Sequence, residues 1–184
     1  MRIIRRSMAR AMHRPALAGP ALAGLAVALV LNLGMVPVAS VSAATPVCLA
    51  TQLSARIVSW EGAAGSRIAN VRLYNTSFVS CYVRNFPRVR LTSAAGVVLI
   101  GGPAASATAA TRTIAPLRYV KTEVSTSNYC GGAYTAPVTL TFNLTGILGR
   151  VVAIPLSSTD TSGVPPCLGA PGSAGSISMH AWHT

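Results

Sequence analysis

Hydrophobic residues recur at every second position along most of this chain. Over Ser66–Asn75, Ala69, Val71 and Leu73 alternate with Asn70, Arg72 and Tyr74. Val79, Cys81 and Val83 alternate with Ser80, Tyr82 and Arg84, and Val89 and Leu91 with Arg88, Arg90 and Thr92. Val120, Thr122 and Val124 are separated by Lys121 and Glu123. The longest run sets Val138, Leu140, Phe142 and Leu144 against Thr139, Thr141 and Asn143. A period of two in β-branched segments predicts strands with one buried and one solvated face. Shorter candidates cover 55–60, 97–100, 150–156 and 176–182.

Turn-forming residues punctuate these runs at 62–65, Asn85-Phe86-Pro87, 93–96, Gly101-Gly102-Pro103, Gly131-Gly132 and Gly146. About eight or nine short strands at this spacing predict an all-β, immunoglobulin-like, two-sheet antiparallel β-sandwich. No segment beyond the N-terminal region has a helical period. Segments 104–110 and 165–175 read as small-residue loops, and residues 44–184 read as one domain without internal repeats.

The N-terminal region breaks this pattern. Arg2, Arg5, Arg6, Arg10 and Arg14 precede an almost wholly apolar stretch over 16–38, and Val41-Ser42-Ala43 offers the small side chains of a cleavage site. Residues 1–43 therefore read as a signal peptide cut after Ala43, with Ala44 as the alternative. Gly19, Pro20, Gly24, Gly34 and Pro37 punctuate the stretch as a signal requires. A retained anchor is the competing reading, since the segment is long enough to span a bilayer, and it too would leave the domain outside. Membrane association is expected only through this segment if it is uncleaved. The residues around Arg5-Arg6 do not complete a twin-arginine motif, and Val47 is large for the position before a lipidated cysteine.

The full chain carries 15 Lys and Arg against 3 acids. Loss of the leader's arginines leaves nine Arg and Lys121 against Glu61, Glu123 and Asp160, a formal surplus of seven. So few charges imply a surface of Ser, Thr, Asn and Gly, which suits strands and loops better than amphipathic helices. Cys48, Cys81, Cys130 and Cys167 all follow the leader. An even count in an exported chain implies two disulfides, with three connectivities open. No pair has CxxC spacing, so neither a redox motif nor a zinc knuckle is expected.

Beyond the cysteines, several residues suggest a family. A cysteine near the mature start is followed by Gly62-Ala63-Ala64-Gly65-Ser66 and Val71-Arg72-Leu73-Tyr74-Asn75-Thr76-Ser77. Then come Cys81, Phe86-Pro87, Val89, Leu91 and Gly96, with Cys130 and Cys167 as a second cysteine pair. In these features the chain resembles the exported actinobacterial domain of unknown function (DUF) 4232. The resemblance covers most of 48–167 and implies a β-sandwich with Cys48–Cys81 and Cys130–Cys167 disulfides; it implies no catalytic residue. Bonds so paired would each close a loop of over thirty residues and stabilise the fold by roughly 3–4 kcal/mol. Asn85 stands where the family carries Gly, and its tolerance of a left-handed backbone would preserve the turn. Ile114-Ala115-Pro116-Leu117 is an imperfect version of the family's proline-glycine turn.

Candidate chemistry is sparse. Paired-carboxylate catalysis needs two neighbouring acids, and Glu61, Glu123 and Asp160 stand apart in sequence. A Ser-His-Asp arrangement would draw on His180 or His183, in a terminal stretch expected to fray. The reading is therefore non-enzymatic, with no catalytic residues and no cofactor; the alternatives are a hydrolase with an unrecognised site and a copper- or zinc-binding protein using the C-terminal His pair. In Met179-His180-Ala181-Trp182-His183, an extended strand points the two histidines to opposite faces, whereas a helical turn would bring them together. A copper or zinc site there lacks further ligands, and no metal site is expected. The more informative segment is Arg84-Asn85-Phe86-Pro87-Arg88-Val89-Arg90. Arg88 and Arg90 share one strand face, Arg84 precedes the turn, and Arg72 is expected nearby. Together they form a candidate anion-binding patch, using bidentate guanidinium contacts to phosphate or carboxylate. Expected partners are an anionic cell-envelope polymer, a lipid headgroup or a protein, in a secreted or envelope-associated setting. Nucleic acid is not expected, because Phe86 alone is no stacking platform. The sequons Asn75-Thr76-Ser77 and Asn143-Leu144-Thr145 read as Thr/Ser-rich strand sequence rather than modification sites.

Overall fold

The computed structural model describes residues 44–144 and 149–184. The predicted signal peptide at 1–43 and the breaker Gly146 lie outside the described residues. The described residues are all-β, with strands β1 (Leu53–Ala63), β2 (Ser66–Asn75), β3 (Cys81–Arg84), β4 (Arg88–Thr92) and β5 (Val98–Gly101). They are followed by β6 (Thr111–Ile114), β7 (Tyr119–Ser127), β8 (Thr139–Asn143), β9 (Arg150–Ile154) and β10 (Ser176–Met179). Among the described residues the only helical segment is a 3-10 turn at Ala50–Gln52.

The strands do not divide into two comparable sheets. Eight of them form one sheet, in the order β10-β7-β2-β1-β9-β8-β4-β5, and β3 and β6 form a separate ribbon. The reason lies at β1, which is bonded along both edges. It runs antiparallel to β2 from Leu53↔Asn75 to Ala63↔Ser66, and parallel to β9 through Ala55↔Ala153 and Arg56↔Ile154. This short parallel seam joins what would otherwise be two antiparallel sheets. The joined sheet curls until its last strand, β10, lies beside β4 and β5 without pairing to either. Glycines permit the approach, since a Cβ at Gly175 would sit 2.9 Å from Ile100 Cδ1 and one at Gly102 3.2 Å from Ile177 Cγ2.

The alternating apolar residues fill the interior of the curl. Ile57, Val71, Leu73, Val89, Leu91, Val120, Val124, Leu140 and Phe142 are all buried. The Phe142 ring lies 5.5 Å from that of Trp182, and burying a ring of this size stabilises the fold by roughly 1.5–3 kcal/mol. β2 and β7 follow the predicted alternation. β8 does not, because Thr139 and Thr141 are buried as well; neighbours on both sides, β4 and β9, cover this strand. Val79 was expected to face inward and is exposed, since β3 starts only at Cys81. β6 was not anticipated. Its Thr-Arg-Thr-Ile sequence buries only Ile114, and its register is supplied by β3.

The disulfides are Cys48–Cys81 and Cys130–Cys167, at sequence separations of 33 and 37. The first ties the segment before β1 to β3; the second ties the loop after β7 to the loop before β10. Asn75 organises the turn after β2 from a buried position. Its Nδ2 donates to the carbonyls of Val79 at 2.8 Å and Ile114 at 3.1 Å, and its Oδ1 accepts from Ser77 N and Oγ. The Asn-Thr-Ser sequence thus encodes a turn whose Asn amide is committed to the protein interior. At the Asn85-Phe86-Pro87 turn the left-handed residue is Phe86, φ 55°, rather than Asn85. Asn85 instead uses its Oδ1 to accept a 3.0 Å bond from Trp182 N, which holds the C-terminal segment to the turn.

Candidate functional site

Residues facing one another across a ladder share a face of the sheet, so the register identifies every outward side chain. Arg56 pairs with Arg72 and Arg72 with Lys121. Arg56 also pairs with Ile154, which puts β9 residues Arg150 and Val152 on the same face. From there Asn143↔Arg150, Arg88↔Asn143 and Arg90↔Thr141 carry that face to β4. Arg56, Arg72, Arg88, Arg90, Lys121 and Arg150, six of the ten cations after residue 43, therefore share one continuous outward face. Among the described residues no Lys or Arg has a carboxylate within ion-pairing distance; the one ion pair is His180–Glu123.

The four arginines singled out from sequence are not one patch. Arg88 and Arg90 do lie side by side on β4. Arg88 Nε donates to Gly102 O at 3.2 Å, and Arg90 lines a hollow of about 300 Å³ with Thr92, Thr141, Asn143 and Arg150. Arg84 sits on β3 in the small ribbon, beside Val47, Tyr82 and Pro87. Arg72 lies four strands from β4, with β1, β9 and β8 between. Its neighbours are Arg56 and Lys121, which the sequence did not single out because they belong to distant segments that only the strand order brings together.

Around Arg72 the side chains are specifically arranged. Tyr74 and Tyr119 face each other with centroids 5.1 Å apart, and the Arg72 guanidinium carbon lies 5.0 Å above the Tyr119 ring. Hydrogen bonding to the Tyr74 side chain and the neighbouring Tyr119 hydroxyl raise the Arg72 pKa above its ordinary value. On one side of this row, a hollow of about 270 Å³ is lined by residues including Ser59, Asn70, Arg72, Lys121, Glu123 and His183. On the other, a hollow of about 260 Å³ is lined by Ser54, Arg56, Tyr74, Asn75, Thr76 and Leu117. Asn70 Nδ2 donates to Ser59 Oγ at 2.9 Å and to Glu61 Oε1 at 2.6 Å, so the Glu61 carboxylate is held at Asn70 rather than at the cations, two rows along the register from Arg72.

The C-terminal stretch is tied down rather than frayed. His180 N donates to Glu123 O, and Lys121 and His183 exchange two backbone bonds of 2.7 and 2.9 Å. Three residue steps on the tail thus match two on β7, so Ala181 and Trp182 together oppose Thr122. This bulge turns Trp182 into the core and leaves both histidines on the outward side. The alternation that put His180 and His183 on opposite faces fails at this extra residue. His180 Nδ1 lies 3.6 Å from Glu123 Oε2, with the two side chains 75% and 48% exposed. Among the described residues no three His, Cys, Asp or Glu side chains converge on a metal position. Ser59 Oγ accepts from Asn70, and no histidine hydrogen-bonds it among the described residues.

Residues 48–183 match the family described as domain of unknown function (DUF4232). No curated protein and no solved structure matches the chain.

Proposed function

The chain belongs to the DUF4232 family, and from that premise we propose that it is an exported, non-enzymatic module that binds an anionic polymer of the cell envelope through its basic sheet face. The observation that carries the reading is the outward face itself, where six cations share one surface and none has a carboxylate partner among the described residues. Such a surface attracts polyanions, and its field is screened by salt. Two disulfides suit an oxidising compartment outside the cytoplasm, and the N-terminal leader supplies the route there. No helix among the described residues is long and apolar enough to cross a membrane. The curled sheet is best understood as an immunoglobulin-like sandwich whose halves have fused at the β1–β9 seam. The non-enzymatic reading is supported by the openness of the Glu123–His180 pair, because catalytic acids and bases are commonly tuned by burial.

The test is cosedimentation of residues 44–184 with purified envelope material, from about 0.05 to 0.5 M NaCl. Binding that declines steeply with salt is expected. Absence of binding, or binding indifferent to salt, overturns the reading.

A further inference from the structure

We propose that the Arg56–Arg72–Lys121 row is the specific ligand site of this face, and that it takes a glycan or polyol unit bearing a carboxylate or phosphate. This rests on the binding function proposed above and names where, and for what chemistry, it operates.

The first argument is electrostatic. Directly opposed residues on neighbouring strands hold their Cβ atoms about 4.5–5.5 Å apart, and like charges so placed destabilise the sheet. Here that arrangement occurs twice in succession, at Arg56↔Arg72 and Arg72↔Lys121. Glu123 stands in the next row of the same face and Glu61 in the row after that. Glu61 accepts from Asn70 and Glu123 pairs with His180. A bound anion would offset the repulsion that the fold leaves in place.

The second argument is preorganisation. Tyr119 lies under the Arg72 guanidinium, and Tyr74 packs against Tyr119, so the central cation is restrained before a ligand arrives, which lowers the ordering cost of binding. The third is the surroundings. The two hollows flank the row and offer Ser54, Ser59, Asn70 and Thr76, which can bond to hydroxyl groups. At about 260 and 270 Å³ each falls below the usual range of roughly 300–1,000 Å³ for drug-sized ligands, so each suits a single unit of an extended chain. Nucleic acid fits less well. Base stacking needs an open aromatic face, and Arg72 covers one face of Tyr119 while Tyr74 packs against the ring.

The experiment measures calorimetric binding of residues 44–184 to three probes: oligogalacturonate, poly(glycerol phosphate) and oligothymidylate. It compares the wild type with the R56Q/K121Q and R88Q/R90Q double variants. Loss of two charge-assisted contacts should weaken the anionic-polyol probes by at least about tenfold in R56Q/K121Q, with less than about threefold loss in R88Q/R90Q. The stronger of the two polyol arms then identifies carboxylate or phosphate as the recognised anion. Equal loss in both variants, loss confined to R88Q/R90Q, or tighter binding of oligothymidylate overturns the site or its ligand class. Failure to bind either polyol probe, with salt-sensitive envelope binding retained, sinks this inference and leaves the broader function standing. Loss of envelope binding as well removes both. Thermal melting guards against misfolding: R56Q/K121Q should melt at or above the wild-type temperature, because relieving like-charge repulsion stabilises the free protein. A lower melting temperature would overturn the electrostatic argument.

Discussion

The two halves of the outward face carry three cations each, but space them differently. On β4–β8–β9, Arg88 and Arg150 both face Asn143, and Arg90 faces Thr141. A neutral residue therefore stands between the strands that carry charge. Two strand spacings, roughly 9–10 Å, exceed the Debye length of about 8 Å at physiological ionic strength. On β1–β2–β7, Arg56, Arg72 and Lys121 stand on adjacent strands in one row, well inside that length. The first half has the layout of a solubilising surface. The second accepts a repulsion between directly opposed cations that the first avoids, since Arg88 and Arg90 meet only along one strand, two residues apart, and equal numbers of cations therefore do not make equal surfaces.

The halves should still share one interior, and Phe142→Ala tests this most severely. Phe142 is buried on β8 and its partner Trp182 belongs to the tail that packs on β7. The substitution should cost about 3–5 kcal/mol in urea unfolding. Amide exchange should accelerate together in β2 and β8; acceleration confined to β8 and β4 would split the molecule into two cores. A smaller and one-sided effect is expected from Thr122→Val. Thr122 Oγ1 donates to His180 O at 2.6 Å, so its loss should cost about 1 kcal/mol. Exchange at His183 and Lys121 should rise while β4 and β8 stay protected.

Charge removal sharpens the contrast directly. Lys121→Gln should raise the melting temperature by about 1–3 °C, given the size of opposed-pair effects and of a domain this long. Arg90→Gln, with no opposed cation, should shift it by less than about 1 °C. A destabilised Lys121→Gln would show that the row carries no repulsion. The smallest expected effect is in salt dependence: screening should lift the melting temperature of the wild type slightly more than that of Lys121→Gln, and parallel curves would count against the comparison.

The strands were legible because burial on one face writes period two into the sequence, as at Val71 and Leu73 or Val120 and Val124. β6 was not, since Thr111, Arg112 and Thr113 carry no apolar signal. Nor was the fusion of the sheet, because the β1–β9 seam joins residues almost a hundred positions apart through two backbone registers. The basic character of the face was readable from Arg88 and Arg90, whose strand is local. The row itself was hidden: Arg56, Arg72 and Lys121 meet only through strand order. At the C-terminus, period two misplaced His183 because one additional residue, absorbed at Ala181-Trp182, changes which side follows.

The near closure of the large sheet bears on how copies of the protein meet. Its two outermost strands, β10 and β5, would ordinarily offer open backbone groups on which another chain could extend the ladder. Here each lies beside the other end of the same sheet, with glycines at 102 and 175 making room. Strand-by-strand self-association is thereby obstructed at this margin.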